Sequence, residues 1–251
     1  NYEGVVVYRT GEQLETMRVV HRFSEGQEDE RLISLTGDAR EIVRRDGEVR
    51  CLLPRERAVT VDERGQSALL PKVSTVGLET LGSHYEFSPG VVNRVADRAC
   101  QVVGLKPRDE FRFGYQLSIY VQTGVPLRIA LVNVDGDSYT HLLLTAVSHP
   151  YRITAQASLP SSASTGFREI RHRGEASSAE SAKGQWEVTE LPPGFKLVGQ
   201  STRLFPGAAK PVSHLLLTDG LATVSVFAAE NKLPTKVFRG VSSIGAVHAY
   251  G

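Results

Sequence analysis

Hydrophobic and polar positions alternate with period two through much of the first part of the chain. The clearest run is Phe111 to Val121: Phe111, Phe113, Tyr115, Leu117, Ile119 and Val121 share one face, and Arg112, Gly114, Gln116, Ser118 and Tyr120 share the other. Such alternation predicts a strand with one buried and one wetter face. Related patterns predict strands at Gly4–Arg9, Leu14–Phe23, Arg31–Leu35, Arg40–Arg45, Glu48–Leu53, Val91–Val95, Cys100–Leu105, Leu127–Val134 and Tyr139–Val147. Thr10-Gly11, Asp46-Gly47, Thr123-Gly124 and Asp135-Gly136 supply turn residues that tolerate positive φ. Strands so close in sequence predict one strongly curved sheet or an open barrel.

One stretch breaks the alternation. From Ser67 to Ser88, residues Leu69, Leu70, Val73, Val76, Leu78, Leu81, Tyr85 and Phe87 are spaced more as on a helix, interrupted by Pro71 and ended by Gly82 as a C-cap. The expectation is an apolar helical insert that plugs the concave face of the sheet or gates a ligand there.

The pattern changes again after Ala155. Ser158 to Gly166 and Ala176 to Lys183 are rich in Ser and Ala and poor in large apolar residues, the composition of a connection. Between them lies the basic stretch Phe167-Arg168-Glu169-Ile170-Arg171-His172-Arg173, either solvated linker or a docking segment for an acidic or lipidic partner. Strands are expected again at Phe195–Leu204, Val212–Thr218, Leu221–Ala228 and Ser242–Tyr250, with Asp219-Gly220 as a hairpin turn and a short helix at Pro234–Arg239. The expected organisation is a large domain over 1–155, a linker over 156–184 and a smaller domain over 185–251. A unit this small that stops in a predicted strand suggests a truncated second domain.

Composition narrows the picture only modestly. The 251 residues include 41% hydrophobic and 23% charged side chains with a net charge of +1, which argues against a disordered chain or a dedicated nucleic-acid binder. The neutrality is a sum of unlike parts: residues 1–150 carry net −3 and residues 151–251 net +4. No apolar run reaches the roughly 20 residues that span a bilayer. An N-terminal secretory signal is also missing, so any such signal is expected to have been removed.

Catalytic chemistry is not legible. The seven histidines have no metal-binding spacing, and neither a nucleophile elbow, a P-loop nor a dinucleotide fingerprint is present. No catalytic residue, metal or cofactor is therefore assigned, and the chain is expected not to be an enzyme. Cys51 and Cys100, both in predicted strands, are either a bridge closing a loop of about 50 residues or two buried thiols.

Several patches together resemble the RseB/MucB family. They are Tyr2-Glu3-Gly4-Val5-Val6-Val7-Tyr8, Val20-His21-Arg22, Leu32-Ile33-Ser34-Leu35-Thr36-Gly37, Arg40-Glu41-Ile42-Val43-Arg44, Tyr85, Val95-Ala96-Asp97-Arg98, Pro107-Arg108-Asp109 with Arg112-Phe113-Gly114-Tyr115, and Thr123 to Arg128. Later matches are Trp186, Leu191-Pro192-Pro193-Gly194-Phe195, Ser213-His214-Leu215, Asp219-Gly220-Leu221-Ala222 and Gly245-Ala246. Their order and spacing cover nearly the whole chain. The family's pattern also has a helix before the first strand and further material after Gly251, which fits a processed or trimmed chain here.

The resemblance implies a mainly β, α+β architecture. Its large N-terminal domain would be a half-open β-barrel resembling periplasmic lipoprotein carriers with covering helices, beside a smaller mixed α/β C-terminal domain. It implies a periplasmic regulator that binds the periplasmic segment of a transmembrane anti-sigma factor of the RseA/MucA kind and shields it from proteolysis. Release on sensing lipid or lipopolysaccharide would switch on envelope-stress genes, in some relatives with alginate production. Acyl chains would then be held by Leu69, Leu70, Val73, Leu78, Leu81, Tyr85, Phe87, Phe113 and Tyr115. The partner would be held by Arg168, Arg171, Arg173, Phe195 and His214. No nucleic acid is expected, self-association stays open, and the alternative is a periplasmic lipid or lipoprotein carrier.

Overall fold

The computed structural model describes residues 1–10, 13–62, 78–133, 136, 138–161, 165–172, 186–203, 212–229, 242–244 and 247–249. In chain order its elements are β1 (Tyr2–Thr10), β2 (Gln13–Ser24), β3 (Gln27–Ser34), β4 (Glu41–Arg45), β5 (Glu48–Leu53), β6 (Ala58–Asp62), α1 (Leu78–His84), β7 (Tyr85–Val95), β8 (Arg98–Pro107), β9 (Gly114–Tyr120), β10 (Pro126–Val132) and β11 (Ser138–Ser148). After a 3-10 turn at Ala155–Ser158 come β12 (Arg168–His172), β13 (Lys196–Arg203), β14 (Val212–Thr218), β15 (Thr223–Ala228), β16 (Ser242–Ile244) and β17 (Val247–Ala249). The chain divides into two compact units, Asn1–Gln66 with Tyr85–His172 and Ser67–His84 with Arg173–Gly251.

The first unit is built on one twelve-stranded sheet in the order β12-β6-β5-β4-β3-β2-β1-β11-β10-β9-β8-β7. All neighbours are antiparallel except β12, which adds to β6 in parallel. Its two edges, β12 and β7, do not pair, so the sheet is open and no closed barrel forms. This matches the expected mainly β, half-open architecture. Tight reversals make the meander: Glu25-Gly26, Asp46-Gly47 and Ala96-Asp97 each place two successive residues at positive φ, the requirement of a two-residue hairpin turn that follows the right-handed twist.

Alternation sorts the faces. Val6, Tyr8, Met17, Val19, Leu32 and Ile42 are buried on one face, in register across β1 to β4. Gly4 lies among them beside the bulge that breaks the β1–β11 register after Val5. A Cβ at Gly4 would run into the Ala146 carbonyl, so only glycine allows β11 to approach there. The opposite face of β3 and β4 buries carboxylates with partners. Asp29 accepts from Arg22 Nη1 (2.8 Å) and Ser158 Oγ (3.3 Å); Glu41 accepts from Arg31 Nε (2.6 Å), Ser161 N (3.0 Å) and Ser161 Oγ (2.6 Å).

Those bonds change the picture of the expected linker over 156–184. Its first residues are fastened to the sheet through Ser158 and Ser161, and Arg168–His172 forms β12 on the sheet edge, with Phe167 packed on Leu52, Val59 and Val61. Small polar residues predicted a free connection, but here they complete the hydrogen bonding of buried charge on the sheet.

In the second unit, β13, β14 and β15 form a three-stranded antiparallel sheet, and β16 and β17 a separate hairpin. The single strand expected at Ser242–Tyr250 is thus two short strands. The Asp219-Gly220 turn is as expected: Asp219 Oδ1 accepts from the backbone N–H of Leu221 and Ala222 (2.9 and 2.7 Å). Gly82, expected to cap a helix, lies inside α1, which continues to His84. The helix expected at Pro234–Arg239 lies outside the described residues.

Candidate functional site

The β7–β9 end of the large sheet carries an apolar face that is only partly covered. Register sets Phe87 opposite Leu105 and Leu105 opposite Tyr115; the next row runs Pro89, Val103, Leu117 and Ile129. Within these rows Leu105, Leu117 and Ile129 are buried, whereas Phe87 is 39% exposed and Val92, further along the edge strand, 61%. The difference follows from position. An edge strand has one neighbour instead of two, and β7 is further loosened by a register shift between Pro89 and Val92.

One buried cation organises the aromatic side chains here. Arg112 has a fully buried side chain, donates from Nε to Asp109 Oδ1 (3.0 Å) and holds its guanidinium 5.7 Å from the centre of the Tyr85 ring. Asp109 also accepts from the backbone N–H of Phe111 (3.1 Å). Tyr85 is completely buried and meets Tyr115 edge to face at 6.2 Å. These contacts close a 108–113 turn in which Phe111 (54% exposed) and Phe113 (38% exposed) face solvent. Alternation predicted that Phe111 and Phe113 continue a strand. The strand begins instead at Gly114, because the Asp109 and Arg112 pair closes a turn that period-two counting does not register.

The expected ligand residues therefore divide. Tyr85, Phe87 and Tyr115 are brought together, and Phe113 lies two residues before Tyr115; Phe87 and Phe113 are open to solvent, Tyr115 is half-buried and Tyr85 is core. Phe87 lies in β7, not in the predicted helical insert. Leu81 is buried within α1, and Leu78 opens that helix, both in the second unit. Leu69, Leu70 and Val73 lie outside the described residues. Phe111, Val92 and Arg112 were not among the expected site residues; an Arg flanked by two Phe, two residues after an acidic pair, was a signal available.

The expected partner residues divide between the two units. Arg168 and Arg171 lie on β12, where Arg171 pairs with Glu169 (2.5 Å) and Glu48 (3.8 Å) in a cross-strand ladder that also holds Arg50. Arg173 is outside the described residues. Phe195 and His214 are buried in the second unit, His214 stacked on Phe227 at 4.5 Å, so both shape its core. Among the described residues, the second unit's exposed large apolar side chains are instead Trp186, Leu197, Val198, Val224 and Val226. Cys51 and Cys100 are free thiols and not a bridge; their strands, β5 and β8, stand third and eleventh in the sheet order. Burial raises both thiol pKa values. Among the described residues no cluster of His, Cys, Asp or Glu is placed to hold a metal ion, and no helix is long and apolar enough to cross a membrane.

An open, almost wholly antiparallel sheet with a partly covered aromatic face, together with a smaller β unit, defines a two-unit, mainly β protein. Comparison with known proteins agrees. The MucB/RseB N-terminal domain model matches residues 1–162 and the MucB/RseB C-terminal domain model residues 180–251. The sigma factor AlgU regulatory protein MucB of Pseudomonas aeruginosa is 31% identical over 228 residues, covering 90% of this chain and 69% of MucB. The sigma-E factor regulatory protein RseB of Escherichia coli K12 is 27% identical over 233 residues, covering 90% of this chain and 70% of RseB. The solved complex of Pseudomonas aeruginosa MucA and MucB matches with a TM-score of 0.69 and 26% identity, over 97% of this chain and 79% of that one. The chain belongs to the MucB/RseB family.

Proposed function

We propose that this protein is a periplasmic regulator of a sigma-factor pathway. It binds the periplasmic segment of a transmembrane anti-sigma factor, protects that segment from regulated proteolysis, and releases it when lipid or lipopolysaccharide is sensed. The observation that carries the reading is the match, across both family domains, to relatives named as sigma-factor regulatory proteins, one of them solved with MucA. The lipid half is supported by the partly covered aromatic face at Phe87, Phe113 and Tyr115. Each acyl methylene buried on such a face contributes about 0.8 kcal/mol. Release requires that lipid and partner prefer different arrangements of the protein, since their effects on each other's affinity are reciprocal.

The same aromatic face favours one alternative, a lipid or lipoprotein carrier. A binding titration of the full chain against the MucA periplasmic segment, with and without purified lipopolysaccharide, separates the two. The regulator binds the segment without lipid and more weakly with it, and slows its cleavage by protease. Failure to bind in the absence of lipid overturns the regulator. Lipid binding combined with lipid-independent affinity for the segment removes the sensing half alone.

A further inference from the structure

The two edges of the large sheet are guarded unequally. β12 has five residues, four of them titratable: Arg168, Glu169, Arg171 and His172. Short length and charge are what keep an edge strand from pairing with another chain. β7 has eleven residues, and its only charged side chains are Glu86, set opposite Lys106, and Arg94, whose Nε donates to Asp97 in the following turn (2.9 Å). Between them Phe87–Asn93 is uncharged, a length of about 23 Å at the ordinary rise per residue. Glu86 to Val92 are all exposed, among them Phe87 (39%), Val91 (78%) and Val92 (61%). Among the described residues only β8 pairs with β7, so the outer row of β7 backbone N–H and C=O groups has no strand beside it.

A bulge gives this edge one apolar side. Pro89 stands opposite Val103 and Val92 opposite Gln101, so Gly90 and Val91 together face Val102, the two-against-one count of a bulge. Glycine is required at 90, since a Cβ there would lie 2.9 Å from Val102 Cγ1. Gln101 fastens the bulge, donating from Nε2 to the carbonyls of Gly90 (2.7 Å) and Val102 (2.9 Å). The extra residue shifts the alternation by one, so that Phe87, Pro89 and Val92 share the face of Leu105, Val103 and Gln101. Phe87 and Pro89 thus end two apolar rows that begin inside the sheet, Tyr115–Leu105–Phe87 and Ile129–Leu117–Val103–Pro89.

We propose that the outer edge of β7 is a docking site for an extended polypeptide segment, which adds to the sheet as a thirteenth strand. This rests on the reading that the partner is the periplasmic segment of an anti-sigma factor; β7 receives an extended stretch of it. Backbone complementarity selects the occupant. Alternating N–H and C=O groups are matched by another backbone, whereas an acyl chain offers neither donor nor acceptor. The apolar rows set the sequence of the occupant. Aliphatic or aromatic side chains at every second position continue the rows past Phe87 and Pro89 and cover Val92, and the side chains between them face the other way.

Hydrogen exchange of the full chain, alone and with saturating MucA periplasmic segment, is the test. The segment slows alternate β7 amides, those directed away from β8, about tenfold or more, while the β4–β6 amides stay as they were. Val92→Lys, which puts a charge into the apolar row, weakens affinity for the segment about tenfold; Val92→Thr, which keeps a branched strand former, leaves it within about twofold. Where Val92→Lys loosens β8 or β9 in the free chain, exchange in the parent decides alone. Binding that leaves β7 unprotected, or equal affinity of Val92→Lys and the parent with β8 and β9 intact, overturns the docking site and spares the anti-sigma reading. Protection of β7 that grows with protein concentration and needs no segment gives the edge to a second copy, and protection by purified lipopolysaccharide but not by the segment gives it to lipid; either overturns the proposal. A parent chain that does not bind the segment sinks the anti-sigma reading and the docking site with it.

Discussion

The guanidinium of Arg112 lies 5.7 Å from the centre of the Tyr85 ring while its Nε donates to Asp109. With a fully buried side chain, Arg112 has no water to replace either contact. Arg112→Ala leaves Asp109 facing a void and removes the support under Tyr85. It should lower unfolding free energy by about 3 kcal/mol, the lower end of the range for breaking a buried pair because Asp109 keeps some solvent. Urea denaturation checks the value. Arg112→Lys should recover part of the loss, since a lysine supplies charge but not the planar donor set.

Phe87 and Phe113 test whether the aromatic face binds or merely packs. Each is more than a third exposed, so Phe87→Ser and Phe113→Ser should cost less than about 1 kcal/mol in stability. If acyl chains bind there, each should weaken binding of a fluorescent acyl probe roughly tenfold. Leu117, buried two positions along the same face, is the control: Leu117→Ala should cost about 2–5 kcal/mol through a cavity with the probe site otherwise intact. Unaltered probe affinity in both Phe variants would remove this face from the binding surface.

Much of the architecture was legible because alternation and turn chemistry agree. Asp46-Gly47 and Asp219-Gly220 sit where their residue types predict, and the strands around them follow. Alternation failed where a partner from elsewhere decides the structure. β6 is five residues long and β12 is a charged segment in a Ser/Ala-rich stretch; β12 becomes a strand only because β6 offers a free parallel edge and Glu48 takes up the charge of Arg171. Tyr85, Phe87, Phe113 and Tyr115 were legible as apolar neighbours. Which of them is core and which is open was not, because it depends on β7 having no strand beyond it. The close approach of the His84 ring to the bare backbone of Gly194 joins residues 110 apart in sequence, and no local pattern encodes it.

The cysteines make a chemical prediction. Two thiols should titrate in denaturant without reductant, since Cys51 and Cys100 are free. In the folded protein Cys51, half-buried, should react slowly with a thiol reagent, and Cys100, completely buried with its thiol directed at the Arg98 carbonyl (3.6 Å), more slowly still. Burial holds both in the thiol form, against which only the nearby Arg40 works at Cys51. A loss of titratable thiols in denaturant would mean that a bridge had formed.

His149 makes stability depend on pH. Its ring is tilted 41° to Tyr120 with centroids 5.5 Å apart, and the Arg98 guanidinium lies 5.9 Å from the centre of the same Tyr120 ring. His149 Nε2 and Arg98 Nε are both buried without a hydrogen-bond partner. Burial first, and then the charge of Arg98, lower the His149 pKa below its ordinary value of 6.5. The folded protein thus binds this proton more weakly than the unfolded chain does. Between the two pKa values the unfolded state carries more protons, so stability rises with pH there. The contribution is intact above about pH 6.5 and is lost as pH falls from there through the folded-state value. Urea denaturation at pH 8 and pH 5.5 should show the parent losing more stability on acidification than His149→Gln, which cannot take up the proton. Equal losses in the two proteins would assign the acid sensitivity to other groups.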